Sequence, residues 1–286
     1  SNHKLQIQTP KQPNISKRIF NVPFESKQDD FVGIEGKLED IHEKLSNSKK
    51  LSIGQVAKFE GMGGLGKTQL AVEYAHKYKE TYPNGVLWLT MDQDIDEQLI
   101  TLGKTHNLVN QNLDIKEQLD GIKYKLKSFE NMLLIYDNTN EQKDIEQDFL
   151  PKSITNKILI TTRNPIQGYT PIELETLDFE NSKKLLEIES EKTVLENENV
   201  FVEEICEKLG GLPLALEMAG AYIKYLNLSW EKYVELYTKQ NFILLNKSKL
   251  PESFTKHENN IVNTLTISQK IIDEIPKLKE IINLLS

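Results

Sequence analysis

The stretch that most constrains this chain is residues 56–72, which read VAKFEGMGGLGKTQLAV. Residues 56–59 are a short, largely apolar run typical of a strand, and glycines follow it at once. From Leu70 to Tyr78, apolar side chains then recur at the spacing of one helix face. A strand, a glycine-rich loop and a helix in direct succession are the context in which a phosphate-binding loop occurs.

The loop itself, Gly61–Thr68, fits the pattern G-x-x-x-x-G-K-[ST]. In that pattern the glycines let the backbone fold tightly around phosphate oxygens and direct its N–H groups at them. The positive N-terminal end of the following helix faces the same anion. We expect Lys67 to reach the β- and γ-phosphates and Thr68 to place its hydroxyl on Mg²⁺. A chance match is the alternative, and the flanking strand and helix argue against it.

Composition and charge disfavour several classes of protein. The formal net charge is −8 and the pI about 5.4, whereas binding a nucleic acid over a surface needs a basic patch. We therefore expect no nucleic acid as the main partner, although a single nucleotide needs only a local site. The sequence contains no apolar run of about 18 residues and no N-terminal signal sequence, so we expect a cytoplasmic protein without membrane segments. The only cysteine, Cys206, lies on an apolar helix face, which favours a core thiol.

Four further segments have the short apolar pattern of buried parallel strands, namely residues 86–89, 132–136, 157–162 and 171–174. Helical patterns, around residues 97–107 and 116–129, separate two of them. Strands that alternate with helices predict a three-layered α/β fold around a parallel five-stranded sheet. We assign residues 30–175 to this domain.

Two charged residues follow these strands, at the edge of a parallel sheet where ligands bind. Asp137 ends the strand at 132–136 and would hold Mg²⁺ directly or through water. The alternative is an aspartate that only begins a turn, and the nearby phosphate loop favours the metal role. Arg163 ends the strand at 157–162 and would read a γ-phosphate. By itself, an arginine in this position would more often be an ordinary surface arginine.

The remainder of the chain forms three segments. Residues 1–29 are polar, contain three prolines and lack a regular period, so we expect a linker. Residues 176–248 are helical throughout, and Pro213 opens an apolar, buried helix there. Residues 249–286 contain two further apolar-faced segments. Because the last of them ends without cover, we expect the chain to be a piece of a longer protein.

Together these segments resemble the NB-ARC class of STAND nucleotide-switch ATPases, from about residue 30 to the C-terminus. FVGIEGKLEDI is similar to the family's N-terminal motif, GMGGLGKTQLA to its phosphate loop, NMLLIYDN to its metal-binding strand and KILITTRNP to its sensor strand. GGLPLALEMAGAYI is similar to the GLPL motif of its helical subdomain, and the last segment to the start of its winged-helix domain. Many ATPases share the loop, but the ordered set, with GLPL after the sensor arginine, is specific.

The resemblance implies a set of nucleotide-binding residues. Those that would contact ADP or ATP are Phe31, Val32, Gly61, Met62, Gly63, Gly64, Leu65, Gly66, Lys67, Thr68, Gln69 and Pro213. Thr68 and Asp137 would serve Mg²⁺, and Lys67, Asp137 and Arg163 would carry any hydrolysis. For Phe31 and its neighbours, the residues alone support a hydrophobic plug against the domain equally well.

The resemblance also implies a mechanism. ADP would hold a closed, inactive and monomeric state, and ATP would favour an open form that forms homo-oligomers. A sensor domain C-terminal to this chain, often made of repeats, would release the closed state and bring effector domains together. In this family the switch serves innate immunity, cell death, or bacterial defence and regulation, and ATPase activity would be weak.

Three departures from the family pattern bear on this reading. Ile34 stands where the N-terminal motif usually has arginine. Asn138 follows Asp137 where a second acid is common, and an amide cannot deprotonate an attacking water. Hydrolysis would therefore be slow or would use another acid such as Glu141. The family's winged-helix histidine lies beyond Ser286.

Two other functions remain open from the residues. A steadily cycling ATPase motor would share the phosphate loop, but GLPL and the missing second acid favour a switch. A scaffold that has lost nucleotide binding is disfavoured because Lys67, Thr68 and Asp137 are all present.

Overall fold

The computed structural model describes residues 18–34, 36–47, 55–60, 64–163, 166 and 169–247. Three predicted phosphate-loop residues, Gly61, Met62 and Gly63, lie outside these ranges. So do the apolar segments of the expected winged-helix start, residues 249–286.

Strands between Ile19 and Glu173 form a sheet of six strands in the spatial order β1-β3-β4-β5-β2-β6. The strands are β1 (Ile19–Phe20), β2 (Gln55–Glu60), β3 (Gly85–Thr90), β4 (Leu133–Thr139), β5 (Lys157–Thr162) and β6 (Thr170–Glu173). The pairs β1–β3, β3–β4, β4–β5 and β5–β2 are all parallel. The prediction of a parallel α/β sheet is therefore confirmed, and the strand that precedes the phosphate loop lies next to β5.

The sheet contains one strand more than the five that the sequence predicts. The additional strand is β1, which falls inside the segment 1–29 that was expected to be a linker without regular structure. Its two residues pair with the start of β3. Just after it, the side chain of Asn21 accepts a hydrogen bond from the backbone N–H of Trp88 at 2.8 Å and donates one to the Trp88 carbonyl at 2.9 Å. An amide side chain thus continues the ladder where the backbone stops.

Nine α-helices lie within the described residues. They are α1 (Lys37–Asn47), α2 (Lys67–Tyr78), α3 (Ile95–Thr105), α4 (Ile115–Leu126), α5 (Gln142–Ile145), α6 (Phe179–Ser190), α7 (Asn199–Leu209), α8 (Pro213–Tyr225) and α9 (Trp230–Lys247). Aspartate side chains cap α3, α4 and α6 by accepting a backbone N–H three residues on. None of these helices is long and apolar enough to cross a membrane.

The chain divides into two compact units. The first comprises residues 1–26, 38–60 and 68–172, and the second residues 27–37, 61–67 and 173–286. The peptide bond between Lys67 and Thr68 therefore leads from the second unit into the first.

The core of the first unit is built from in-register rows across the sheet. Leu87, Leu134 and Ile158 form one such row on neighbouring strands, and all three are buried. Helices α3 and α4 cover this face with buried leucine and isoleucine side chains. Rows of this kind are expected where parallel strands are buried on both faces.

The second unit has a separate core formed by α6, α7, α8 and α9. Cys206 lies in this core, as predicted, and burial raises the pKa of its thiol to about 12. Helix α7 ends at Leu209, and Gly210 follows it with a φ of +64°, the left-handed conformation that glycine adopts readily. Ser229 caps α9 by accepting the backbone N–H of Lys232 at 3.2 Å, which confirms the predicted helix start.

Candidate functional site

The side chains of Thr68 and Asp137 meet in the first unit. The Thr68 hydroxyl, in the first turn of α2, donates a hydrogen bond of 2.8 Å to Oδ1 of Asp137. Asp137 lies near the end of β4 and is only 3% exposed. A third residue, Thr161 of β5, donates its hydroxyl to the same carboxylate oxygen at 2.5 Å. The two predicted magnesium residues are thus in direct contact, and a threonine that the motif does not name holds the same carboxylate.

The electrostatic environment of Asp137 opposes its negative charge. Burial raises the pKa of this carboxyl above its usual range, and the hydrogen bonds from Thr161 and Thr68 partly counteract the rise. The charge of Asp92, just beyond β3, also raises the Asp137 pKa. A cation beside Asp137 would therefore relieve an unfavourable burial of charge.

The chemistry of this corner fits Mg²⁺. The ion prefers hard oxygen ligands and binds through one or two carboxylates together with waters and phosphates, and Asp137 and Thr68 supply one carboxylate and one hydroxyl. No group of three or more His, Cys, Asp or Glu residues suited to a metal occurs in the described part of the chain. Most ligands of such an ion would accordingly come from phosphate and water.

Strand β4 is irregular at this point. Tyr136 pairs with Ile160 and Thr139 pairs with Thr162, so two residues of β4 lie opposite the single residue Thr161 of β5. This is the arrangement of a β-bulge, which is common beside active sites and redirects side chains. Asn138, the second bulged residue, has φ +54°, a left-handed conformation in which asparagine is enriched among residues other than glycine.

In the second unit, the end of the phosphate loop contacts the start of α8. Gly64 has φ +81°, and its carbonyl accepts the backbone N–H of Leu214 at 3.2 Å. A Cβ atom at Gly64 would lie 3.1 Å from Cβ of Leu214, which is a tight contact. The GLPL segment and the phosphate loop are therefore joined by a backbone hydrogen bond, next to Pro213 at the first turn of α8.

The N-terminal motif contacts the same loop through Phe31. A Cβ atom at Gly66, which has φ +83°, would lie 3.6 Å from the Phe31 ring. Val32, by contrast, is buried in the helical core of the second unit, and Leu65 packs against that core. The burial of Val32 is what the alternative interpretation of this segment, a hydrophobic plug, predicts.

The other predicted residues have varied surroundings. Lys67 is the first residue of α2 and is half-buried. Gln69 donates to Oε1 of Glu73 at 2.6 Å, so its side chain is directed along α2. Arg163 is exposed, one residue beyond β5. Glu141, the alternative acid, forms an exposed ion pair of 2.8 Å with Lys143.

Sequence reasoning missed Thr161 and Leu214. Thr161 could have been noticed, because two adjacent threonines precede Arg163 at the end of an otherwise apolar strand. Leu214 gives no comparable signal, since its contact with Gly64 uses the backbone N–H that almost every residue carries.

Comparison with known proteins identifies the family of this chain. A family model described as the NB-ARC domain matches residues 34–197, more than half of the 286 residues. The disease susceptibility protein LOV1 of Arabidopsis thaliana is 26% identical over 294 aligned positions, which cover 94% of this chain and 31% of that protein. A nucleotide-binding leucine-rich repeat (NLR)-like protein of Hyaloscypha variabilis is 26% identical over 248 positions, covering 76% of this chain and 24% of that protein.

Among solved structures, the ORC2 protein of Aeropyrum pernix, determined as ADPNP-ADP complexes, has a TM-score of 0.50 at 14% identity. The match covers 87% of this chain and 74% of that one, and it is a likeness of fold alone. The chain spans about a third of the length of the curated relatives it matches. With its glycine-rich loop motif, its parallel α/β sheet and the family match in agreement, this chain belongs to the NB-ARC family of STAND P-loop NTPases.

Proposed function

We propose that this chain is the nucleotide switch of a signalling protein, with ADP or ATP and Mg²⁺ as its ligands. The observation that carries the proposal is the hydrogen bond of 2.8 Å from Thr68 to Asp137, which are 69 positions apart in sequence. The loop motif and the strand-end aspartate each point to the same metal ion. A chance glycine-rich turn and an unrelated turn aspartate would have no reason to meet.

The phosphate chain is assigned to the loop and to the start of α2. Backbone N–H groups of the glycine-rich loop would bind the phosphate oxygens, and Lys67 would bind the β- and γ-phosphates. The Thr68 hydroxyl and the Asp137 carboxylate would hold Mg²⁺, which neutralises phosphate charge when it is bound. Gly61, Met62 and Gly63 belong to this proposal through the motif.

Phe31 and Pro213 are assigned to the base. Support comes from the second unit alone, where the Phe31 ring lies over Gly66 and Pro213 precedes the residue that binds the Gly64 carbonyl. The phosphate loop thereby contacts the Phe31 ring at Gly66 and, at Gly64, the residue that follows Pro213. Val32 would support Phe31 from the core rather than touch the base with its own side chain.

The switch works through a difference in affinity, because a nucleotide shifts a conformational equilibrium only as far as it prefers one state. ADP would favour a closed monomer, and ATP, read through its γ-phosphate by Arg163, an open form that oligomerises. Sensor and effector domains would belong to the longer protein, since the relatives are about three times as long. The name of the LOV1 relative supports a role in defence signalling, and a sequence with a single cysteine, which allows no internal disulfide, fits a cytoplasmic setting.

Hydrolysis in this proposal is slow. Asn138 has no carboxylate, and Glu141 is exposed and paired with Lys143. Asp137 is held by two hydroxyls and serves the metal, so it is poorly placed to act as a general base.

The first test is the identity of the nucleotide that co-purifies with the protein. Heat denaturation followed by chromatography of the supernatant, quantified against protein, should give near-stoichiometric ADP. An empty site combined with rapid ATP turnover would contradict a switch and favour a cycling motor.

The second test uses substitutions at the two positive charges. Lys67→Ala should abolish nucleotide binding in a titration, whereas Lys77→Ala, an exposed lysine on the same helix, should not. Arg163→Ala should preserve ADP affinity and reduce the preference for ATP. Undiminished affinity in Lys67→Ala would refute the proposed phosphate site, and an equal loss for ADP and ATP in Arg163→Ala would refute its role as a sensor.

A further inference from the structure

Thr161 connects both bulged residues of β4 through its hydroxyl. The backbone N–H of Asn138 donates to Oγ1 of Thr161 at 3.0 Å, and Thr161 Oγ1 donates to Oδ1 of Asp137 at 2.5 Å. The direction of each bond follows from chemistry, since a backbone N–H can only donate and a carboxylate can only accept. The Thr161 hydroxyl therefore accepts a hydrogen bond from Asn138 and donates one to Asp137, and these roles cannot be exchanged.

The bulge makes such a bond necessary. In a regular parallel ladder the backbone of the neighbouring strand would take the N–H of Asn138, but Thr161 lies opposite both Asp137 and Asn138. Its side chain replaces the missing ladder partner. Because Thr161 is only 1% exposed, water does not compete for its hydroxyl.

The Asp137 carboxylate is held from two sides. Thr68 approaches Oδ1 from the start of α2 and Thr161 approaches the same atom from β5. Two donors on one oxygen restrict rotation of the carboxylate and leave Oδ2 outside both bonds. A carboxylate at a bulge, where the strand is locally irregular, would otherwise lack a defined orientation.

We propose that Thr161 is a positioning residue that orients the Asp137 carboxylate for the Mg²⁺ of the bound nucleotide. The inference rests on the proposed function. It also gives Asn138 a conformational role, as the left-handed residue that closes the bulge, in place of the second acid that the family often has there. Residues that orient a metal ligand typically change metal affinity 10- to 100-fold when they are removed.

The test compares Thr161→Val with Thr139→Val. Thr139 is a matched control because it is also fully buried, lies at the end of β4, and donates its hydroxyl only to the backbone carbonyl of Tyr136 at 3.2 Å. Nucleotide affinity is titrated for each protein with Mg²⁺ and with EDTA. Wild type should bind more tightly with Mg²⁺, and Thr161→Val should lose about tenfold or more of that gain, with its affinity in EDTA little changed.

A conservative variant, Thr161→Ser, and a check that every variant is folded complete the experiment. Thr161→Ser keeps the hydroxyl and should restore most of the gain from Mg²⁺, and Thr139→Val should keep all of it. Circular dichroism checks that each variant is folded. Thr161→Ala, which removes the hydroxyl without adding a methyl group beside the carboxylate, replaces Thr161→Val if the latter does not fold.

The possible outcomes distinguish a failure of the proposed nucleotide-binding function from a failure of the role proposed for Thr161. Wild type that binds no nucleotide overturns the proposed function and this inference with it. Wild type with a clear gain from Mg²⁺ that Thr161→Val or Thr161→Ala retains in full overturns the inference alone. Equal losses in EDTA and in Mg²⁺ also overturn it, because they indicate a structural role only.

Discussion

Gly220 provides a test of how closely the helices of the second unit pack. It lies in the interior of α8 and is buried against α6. Its backbone does not have a positive φ, so alanine is compatible with the local conformation. By helix propensity alone, Gly220→Ala should stabilise the protein by about 1 kcal/mol.

The packing around Gly220 predicts instead that Gly220→Ala destabilises the protein. A Cβ atom at Gly220 would lie 2.5 Å from Cβ of Glu189 and 3.2 Å from the backbone N of Ser190. Neither atom is the end of a flexible side chain, so relief requires α6 and α8 to move apart. Overpacking of this kind costs about 1–3 kcal/mol, and a clash with atoms at the backbone belongs in the upper half of that range. The net expectation is a loss of about 1–2 kcal/mol after the gain in propensity is subtracted.

The assay is urea unfolding followed by circular dichroism. Gly121→Ala in α4 is the matched control, because its added Cβ would meet one side chain and no backbone atom, with Cγ1 of Val109 at 3.0 Å and Cβ of Val109 at 4.0 Å. We expect a lower unfolding midpoint for Gly220→Ala and a midpoint close to wild type or higher for Gly121→Ala. A Gly220→Ala protein at least as stable as wild type would refute the packing argument and show that the two helices separate at little cost.

Three further predictions concern groups that are partly or wholly buried. Asn156→Ala should reduce the free energy of unfolding by about 2 kcal/mol or more, since the side chain makes two buried bonds to backbone, at 3.1 and 2.8 Å; an unchanged urea midpoint would contradict this. Burial lowers the pKa of His42, which stacks on Tyr78 with ring centroids 4.0 Å apart. Its contribution to stability should therefore be complete above a pH of about 6.5 and decline as the pH falls below it, so melting temperature should fall less on acidification in His42→Gln than in wild type, and equal falls would refute the argument. Cys206, with its raised pKa, should react with a thiol reagent only after denaturation, and stoichiometric labelling of the folded protein would count against its burial.

Hydrophobic periodicity predicted most of the fold because most elements bury a regular face. The strand from Leu133 and the helix from Pro213 are long apolar runs, and each forms within a residue or two of its predicted start. Strand β1 was missed for a physical reason. Two residues cannot display a period, and the hydrogen bonds of Asn21 that extend their ladder depend on a partner 67 positions away.

In the candidate site, too, residues within a local sequence pattern could be predicted, and a residue that depends on a distant partner could not. Thr68 and Asp137 could be predicted because a local pattern names each of them. The contribution of Thr161 arises from the register between β4 and β5, which places one residue opposite two, and no local pattern encodes that register. Asn138 is an example. The sequence indicates only that an acid is missing at this position, whereas its positive φ shows a residue that is suited to the bulge.

The phosphate loop and the GLPL segment were recognised as separate motifs about 150 positions apart, and the second unit gives a physical reason for their joint occurrence. Two features of position 64 favour glycine. Its φ is positive, and the Cβ of Leu214 lies close to where a side chain would start. The Leu214 N–H that binds the Gly64 carbonyl is available because the first N–H groups of a helix have no partner within it. Pro213, which lacks an N–H, takes the position before it without losing a bond. If nucleotide binding changes the loop backbone at Gly64, we therefore expect the change to reach the start of α8 directly, through the Gly64 carbonyl and the Leu214 side chain.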